Sequence, residues 1–354
     1  MRLASLAGVA DLVARSHALG ADETLVVHGG GNTSVKTEGA DHVGRPRPIL
    51  VIKASGADLR TVDAEGFVAL YLDDLLTVRE REDMDDDEMT QFLAQSRADL
   101  GPRRPSIETL LHAFLPDAHV DHVHADAICA LTNGPDPERT VPDALGPGVA
   151  YVPYRRPGFA LAREVAAQAG AEAVVLGHHG LVTWGPTSEA TLVRTRDLVK
   201  RAERYLIAHR RQQAIRPVPE MEPAEAERLL LTLRGRLSRG GRRILHVDMS
   251  GRAVADRDDA ASVLAAGPAT ADHLLRARAF PVIVRSADDV AAVVDTAERG
   301  AREHWERHRD RATAGTTMGD ARPVVALVPG LGTLTAAADE QAAGVVAEVA
   351  ARSH

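Results

Sequence analysis

Three prolines in the stretch RQQAIRPVPEMEPA, at 211–224, constrain this chain more than any other feature. Proline removes a backbone donor and fixes φ, so neither a helix nor a central strand can run through such a segment. Apolar residues are also sparse there, and a boundary between two folding units is expected. We therefore read a large first domain over residues 1–212, a linker over 213–222 and a smaller α/β domain of unknown role over 223–354.

Before the break, Leu3, Leu6, Val9 and Val13 recur at helical spacing and Gly20 ends the helix. TLVV, then a glycine cluster with Asn32, then SVK reads as strand, tight turn, strand. Further strands are expected at ILVIK (49–53), FVALYL, HVDHVH and GVAYVPY. AVVLGHHGLVTW reads as two strands joined by a Gly-His-His-Gly turn. Helices are expected over 85–97, from Pro105 through Glu108 to Phe114, over 159–169 and over 187–210. After the break the order is helix, RILHV strand, helix, PVIV strand, helix, PVVALV strand, helix. That alternation predicts a small α/β domain, with Gly330 and Gly332 between its last strand and last helix.

Aromatic residues are only 3% of the 354 residues, against 45% hydrophobic overall, so the core has to be aliphatic. A net charge of -8 argues against a nucleic-acid or anionic-membrane surface, which needs a concentrated positive field. The acidic run EREDMDDDE reads as a solvated face. Cys129 is the single cysteine, which excludes an intramolecular disulfide and fits a cytoplasmic setting. No apolar run reaches the roughly 18 residues of a membrane span, and the first residues read as a surface helix, not a secretion signal.

The chemistry-bearing residues are mostly histidines. His122 and His124 stand two apart on an expected strand, so both imidazoles share a face. Neutral imidazole is a preferred ligand of zinc-like ions; the alternative is a polar pair on a solvated strand. His178 and His179 occupy a turn after a buried strand, where a rigid scaffold can present side chains. Glu108 lies one turn into an expected helix with His112 four residues on and so on the same face, and can ligate metal, act as a base or simply be exposed. GGGNTS, with Gly31 and Asn32, suits either a phosphate-cradling turn or a plain hairpin, and lacks the residues of a Walker loop or a dinucleotide fingerprint. Ser55, Gly56 and Ser106 are further small hydrogen-bonding candidates.

The order of these motifs narrows the alternatives. GGGNTSVK, IKASGADL, RPSIETLLHAFLP, HVDHVHADA and GHHGLVTWG, in succession over about residues 5–212, resemble the class II aldolase/adducin family. RILHVDMS, GPATADHLLRAR and VVALVPGLG extend the likeness to the long rhamnulose-1-phosphate aldolase-type chains, often fused to a short-chain dehydrogenase. The chain stops before any such segment, so redox activity is not expected.

The resemblance implies a three-layer α/β sandwich with a central, mostly antiparallel sheet. It implies His122, His124 and His179 as metal ligands, Glu108 as the catalytic carboxylate, and Gly31, Asn32, Ser55, Gly56 and Ser106 on phosphate-binding turns. One divalent metal is expected, zinc by default and manganese or cobalt as alternatives. The substrate would be a small phosphorylated sugar, a ketose 1-phosphate cleaved to dihydroxyacetone phosphate and an aldehyde. Rival readings are a 4-epimerase, a sugar-acid phosphate decarboxylase or a non-enzymatic adducin-like binding protein. Family members are commonly homo-tetramers. One departure stands out: Ile107 occupies the place of a second serine in the short fuculose-type enzymes. Their proton-donating tyrosines have only candidates here, in Tyr151, Tyr154 and Tyr205.

Overall fold

The computed structural model describes residues 2–210, 218–312 and 315–353. The chain divides into two compact units, Met1–Arg210 and Arg211–His354. Residues 213–217 of the expected linker lie outside the described residues. Residues 218–222 carry no helix or strand, and Met221 N donates to Gly330 O in the second unit.

The first unit is built on a seven-stranded sheet. Its strands are β1 (Asn32–Ala40), β2 (Pro46–Lys53), β3 (Phe67–Tyr71), β4 (His119–Val123), β5 (Val149–Val152), β6 (Ala173–Leu176) and β7 (Gly180–Gly185), in the order β3-β2-β1-β4-β7-β6-β5. Every neighbouring pair is antiparallel except β5 with β6. The apolar runs are continuous because both faces are covered. Leu50, Ile52, Val174, Leu176, Val182 and Trp184 pack on one side with the helices Asp86–Gln95, Thr109–Phe114 and Phe159–Ala166. Their strand neighbours Ile49 and Val51 face the helix Val9–Gly20. Ala173, Val175 and Leu181 meet the helices Asp126–Thr132, Pro137–Leu145 and Ser188–His209. Helices on both faces of a central, mostly antiparallel sheet make the three-layer α/β sandwich.

Between helix Val9–Gly20 and the sheet lies a buried ion pair. Arg15 Nε donates to Asp121 Oδ1 at 2.8 Å, and both side chains are essentially inaccessible. Arg15 also donates to Ser34 O at 2.7 Å and Ser188 Oγ at 3.0 Å, while Thr195 Oγ1 donates to the other Asp121 oxygen at 3.4 Å. Burial pushes the Asp121 carboxyl up, against the downward pull of the Arg15 charge and hydrogen bond.

His112 and His119 face similar penalties. Burial lowers His112 to about 3 and His119 to about 4, opposed for His112 by the Glu108 charge. Both imidazoles are therefore neutral in the fold at neutral pH, whereas unfolded histidine titrates near 6.5. Their stabilising contribution is complete above about pH 6.5 and is lost as pH falls toward 3–4. Between about pH 6 and 4, buried His112 should cost about 1.4 kcal/mol per pH unit, and the more exposed His119 less, because solvent screens it. Urea unfolding over that range should show a shallower acid slope in His112→Asn than in the parent chain; equal slopes would count against a buried neutral His112.

One expected strand is absent. Residues 23–25 form turns, with Leu25 N and Val26 N both bonded to Asp22 O. TLVV is apolar because Leu25 and Val26 join the helix-side core, not because it pairs in the sheet.

The second unit holds a four-stranded sheet of β8 (Ile244–Asp248), β9 (Val282–Ile283), β10 (Val325–Val328) and β11 (Gly332–Ala337), in the order β8-β11-β10-β9. The helices Pro223–Leu237, Val290–His308 and Glu340–Ala350 accompany it. Here the expectation for VVALVPGLGTLT needs correction. Gly330 and Gly332 join two antiparallel strands, and the last helix starts only at Glu340. Both glycines have positive φ, which suits a tight hairpin.

Candidate metal centre

β4 carries His122 at the middle of the sheet, and His124 follows just past its end. His122 lies opposite Asn32 on β1 and Val182 on β7. The β6–β7 hairpin supplies His179. Its neighbour His178 takes the left-handed conformation, at φ 55°, and is exposed with Nδ1 2.8 Å from Asn133 Oδ1. That reversal turns only the second of the two histidines inward.

Two glycines let the strands close. A Cβ on Gly180 would lie 2.2 Å from Val123 O, and one on Gly31 would lie 2.6 Å from His122 O. Gly31 also has φ +61. Gly180→Ala should therefore push β7 off β4, costing roughly 1–3 kcal/mol and lowering metal affinity. A variant with parental stability and metal binding would contradict this close approach.

The three imidazoles meet. His122 Nε2 is 3.1 Å from His124 Nε2 and 3.3 Å from His179 Nε2. Glu108 Oε1 lies 3.5 Å from Nε2 of both His122 and His179. Glu108 does not lie within a helix turn, where the sequence placed it, but directly precedes the helix Thr109–Phe114, with φ -94° and ψ 11° and no capping hydrogen bond from its side chain. Helical dihedrals are not required there, so the carboxylate can turn toward β4.

Asn32 fixes that carboxylate: its Nδ2 donates to Glu108 Oε2 at 2.7 Å and lies 3.5 Å from Ser106 Oγ. Ser106 Oγ accepts from Glu108 N at 3.2 Å. The remaining oxygen, Glu108 Oε1, is buried and accepts no hydrogen bond among the described residues. His112, by contrast, points elsewhere, with Nδ1 2.7 Å from Ser34 Oγ.

Protonation states follow from the partners. His122 Nδ1 is 3.1 Å from Leu181 O, and a carbonyl only accepts. Nδ1 therefore carries the hydrogen and Nε2 presents its lone pair to the cluster. Burial lowers His122 to about 4, against the raising influence of Glu108, so the ring is neutral at pH 7. Burial works to raise Glu108, but the fields of His122, His179 and His124 and the Asn32 hydrogen bond hold it at about 2. An ionised carboxylate thus lies beside the His122 Nε2 lone pair.

This donor set suits a divalent cation. Metal–nitrogen bonds of about 2.0–2.1 Å in a tetrahedral site place ligand atoms roughly 3.3 Å apart, close to the spacings of 3.1, 3.3 and 3.5 Å observed. His122, His124 and His179 form a group able to hold a metal ion.

Three loops gather beside the histidines. Lys53, buried at the end of β2, donates to Gly29 O at 2.9 Å and Ala57 O at 2.6 Å, tying the glycine turn to the Ser55-Gly56 turn. Ser55 N donates to Arg104 O, which joins that turn to the segment leading into Ser106. Ser55 and Gly56 are exposed; Gly31, Asn32 and Ser106 are buried. Sequence reading overlooked Lys53; a charge closing the apolar run ILVIK was the available signal. Tyr154 is exposed, its ring 6.4 Å from that of His178, while Tyr151 is partly buried and Tyr205 stacks on His209.

Buried His122 and His179, partly buried His124 and the buried Glu108 carboxylate, set in an α/β sandwich, form a group able to hold a metal ion. Residues 10–206 match the Class II Aldolase and Adducin N-terminal domain, and residues 224–353 match the Aldolase class II, second domain. The chain belongs to the class II aldolase and adducin family. The N-terminal class II aldolase domain of a conserved protein from Thermoplasma acidophilum is 41% identical with a TM-score of 0.54, over 56% of this chain and 93% of that one. A Bacillus subtilis (strain 168) protein described as the uncharacterized oxidoreductase YuxG is 34% identical over 352 residues. That match takes in 92% of this chain and 50% of YuxG, so the chain spans about half the length of this curated relative. No described helix is long and apolar enough to cross a membrane.

Proposed function

We propose that the first unit is a metal-dependent aldehyde-lyase. It cleaves a ketose 1-phosphate of the rhamnulose, fuculose or deoxypentulose type to dihydroxyacetone phosphate and an aldehyde. The observation that carries this reading is the buried Glu108 Oε1, which accepts no hydrogen bond among the described residues and sits 3.5 Å from two imidazole nitrogens. His122, His124 and His179 would hold one divalent cation, zinc by default from nitrogen ligands and a carboxylate.

When bound, such a cation acts as a Lewis acid on the charge that develops beside the carbonyl as the carbon–carbon bond breaks. Glu108, ionised at neutral pH, takes a proton from the hydroxymethyl carbon in the condensation direction and returns it after cleavage. Asn32 aims that carboxylate by holding Oε2, which leaves Oε1 toward the reacting carbon. Gly31, Ser55, Gly56 and Ser106 anchor the phosphate and so orient the reacting carbons. Asn32 can contribute there only through the second hydrogen of Nδ2, since Oδ1 cannot donate.

Ile107, beside Ser106, offers the phosphate no hydrogen bond from its side chain, so one phosphate contact is lost or supplied elsewhere. A 4-epimerase or a sugar-acid phosphate decarboxylase would use the same histidines and carboxylate. Incubating the zinc- or manganese-loaded protein with ketose 1-phosphates separates these outcomes. Release of dihydroxyacetone phosphate supports the lyase, an epimerised pentulose phosphate or carbon dioxide supports the alternatives, and substoichiometric metal without turnover supports a binding protein.

A further inference from the structure

The segment GPATADHLLRAR belongs to none of the chemistry above, yet it takes an unusual path. His273–Ala277 is a π-helical turn, a conformation that is rare and frequent at functional sites. It ends in Arg278 at φ 63°, a region that L side chains seldom adopt. Arg278 is held there by donating 2.7 Å hydrogen bonds from Nη1 to Asp320 O and Arg322 O.

This turn forms one wall of an open groove of about 400 Å³ in the second unit. Arg243, Arg276 and Arg278 line it together with Leu275, Val346 and Asp339. The charges do not balance. Asp320 pairs with Arg243, Arg278 and Arg322, and Asp339 spends one oxygen capping Ala342 N. Among the described residues, three arginines and one aspartate line the groove, and Asp320 outside it is shared with Arg322. Arg276 is exposed and makes no hydrogen bond or ion pair among the described residues. Burial lowers the Arg278 pKa, as does the charge of Arg243 and Arg322, although Asp320 opposes them. Guanidinium groups crowded against one another need an anion nearby.

We propose that this groove binds a small phosphomonoester, with the phosphate on Arg243, Arg276 and Arg278 and a short aliphatic body against Leu275 and Val346. A dianion matches the two uncompensated positive charges. Arginine forks suit phosphate oxygens, and a groove of this size admits a sugar-phosphate-sized molecule. The second unit would then carry its own anion site, independent of the chemistry assigned to the first.

Hydrogen exchange on the full chain at constant ionic strength tests this, with inorganic phosphate, glycerol 3-phosphate, glycerol and acetate as probes. Both phosphates should protect the backbone over 273–278 and 336–346; glycerol and acetate should not. Arg276→Glu should weaken that protection about tenfold in concentration without changing thermal stability, and Arg276→Lys should retain part of it. Absence of protection at saturating glycerol 3-phosphate would overturn the proposal. So would protection that survives Arg276→Glu, or equal protection by acetate. Protection over 29–34 and 54–57 reports the first unit separately, so failure in one unit is distinguishable from failure in the other.

Discussion

Glu108→Gln should lower kcat by about 10²–10⁴-fold while leaving close to the parental amount of metal on the chain. The substitution preserves shape and still offers Asn32 Nδ2 an oxygen, but removes the group able to exchange a proton at carbon. The three imidazoles remain in place to hold the ion. His179→Ala should behave differently, losing metal and turnover together. Steady-state kinetics beside metal analysis separates the two cases. If Glu108→Gln kept turnover within tenfold of the parent, the carboxylate would have no proton-transfer role and the lyase mechanism would need another base.

Asp121→Ala should destabilise the first unit by about 3–5 kcal/mol, measured as a fall in urea midpoint. The loss is large because it strands the Arg15 guanidinium, 2 % exposed, without its counter-charge. Removing both charges together, in Arg15→Met with Asp121→Leu, should cost less than the sum of the single changes, since no unpaired charge remains buried. Asp121 and His122 point to opposite faces of β4. The fraction of Asp121→Ala that stays folded in the cold should therefore keep its metal. A change below about 1 kcal/mol would mean that water reaches the pair.

The same alternation explains why the first unit could be read from its sequence. ILVI, AVVL and LV at 181–182 are apolar at successive positions because helices cover both faces of the sheet, and few other arrangements produce such runs. Legibility failed where burial and pairing part company. TLVV carries a strand's composition but lies in a turn that fills the core. GLGTLT carries a helix-start pattern of glycines but forms the hairpin between β10 and β11, because β11 also pairs with β8, which is remote in sequence, and no local pattern announces that pairing.

Sequence alone determined the family, the covered sheet and the residue types available for chemistry. Those properties depend on local composition and on the order of motifs. Tertiary structure decided which groups meet. It placed His122 and His179, from β4 and the β6–β7 turn, 3.3 Å apart and turned His178 away. It left Glu108 outside its helix, held by Asn32, and drew Lys53 under two turns. Strand register and the close approach allowed by Gly31 and Gly180 set those distances, and both arise only when segments far apart in the chain are packed together.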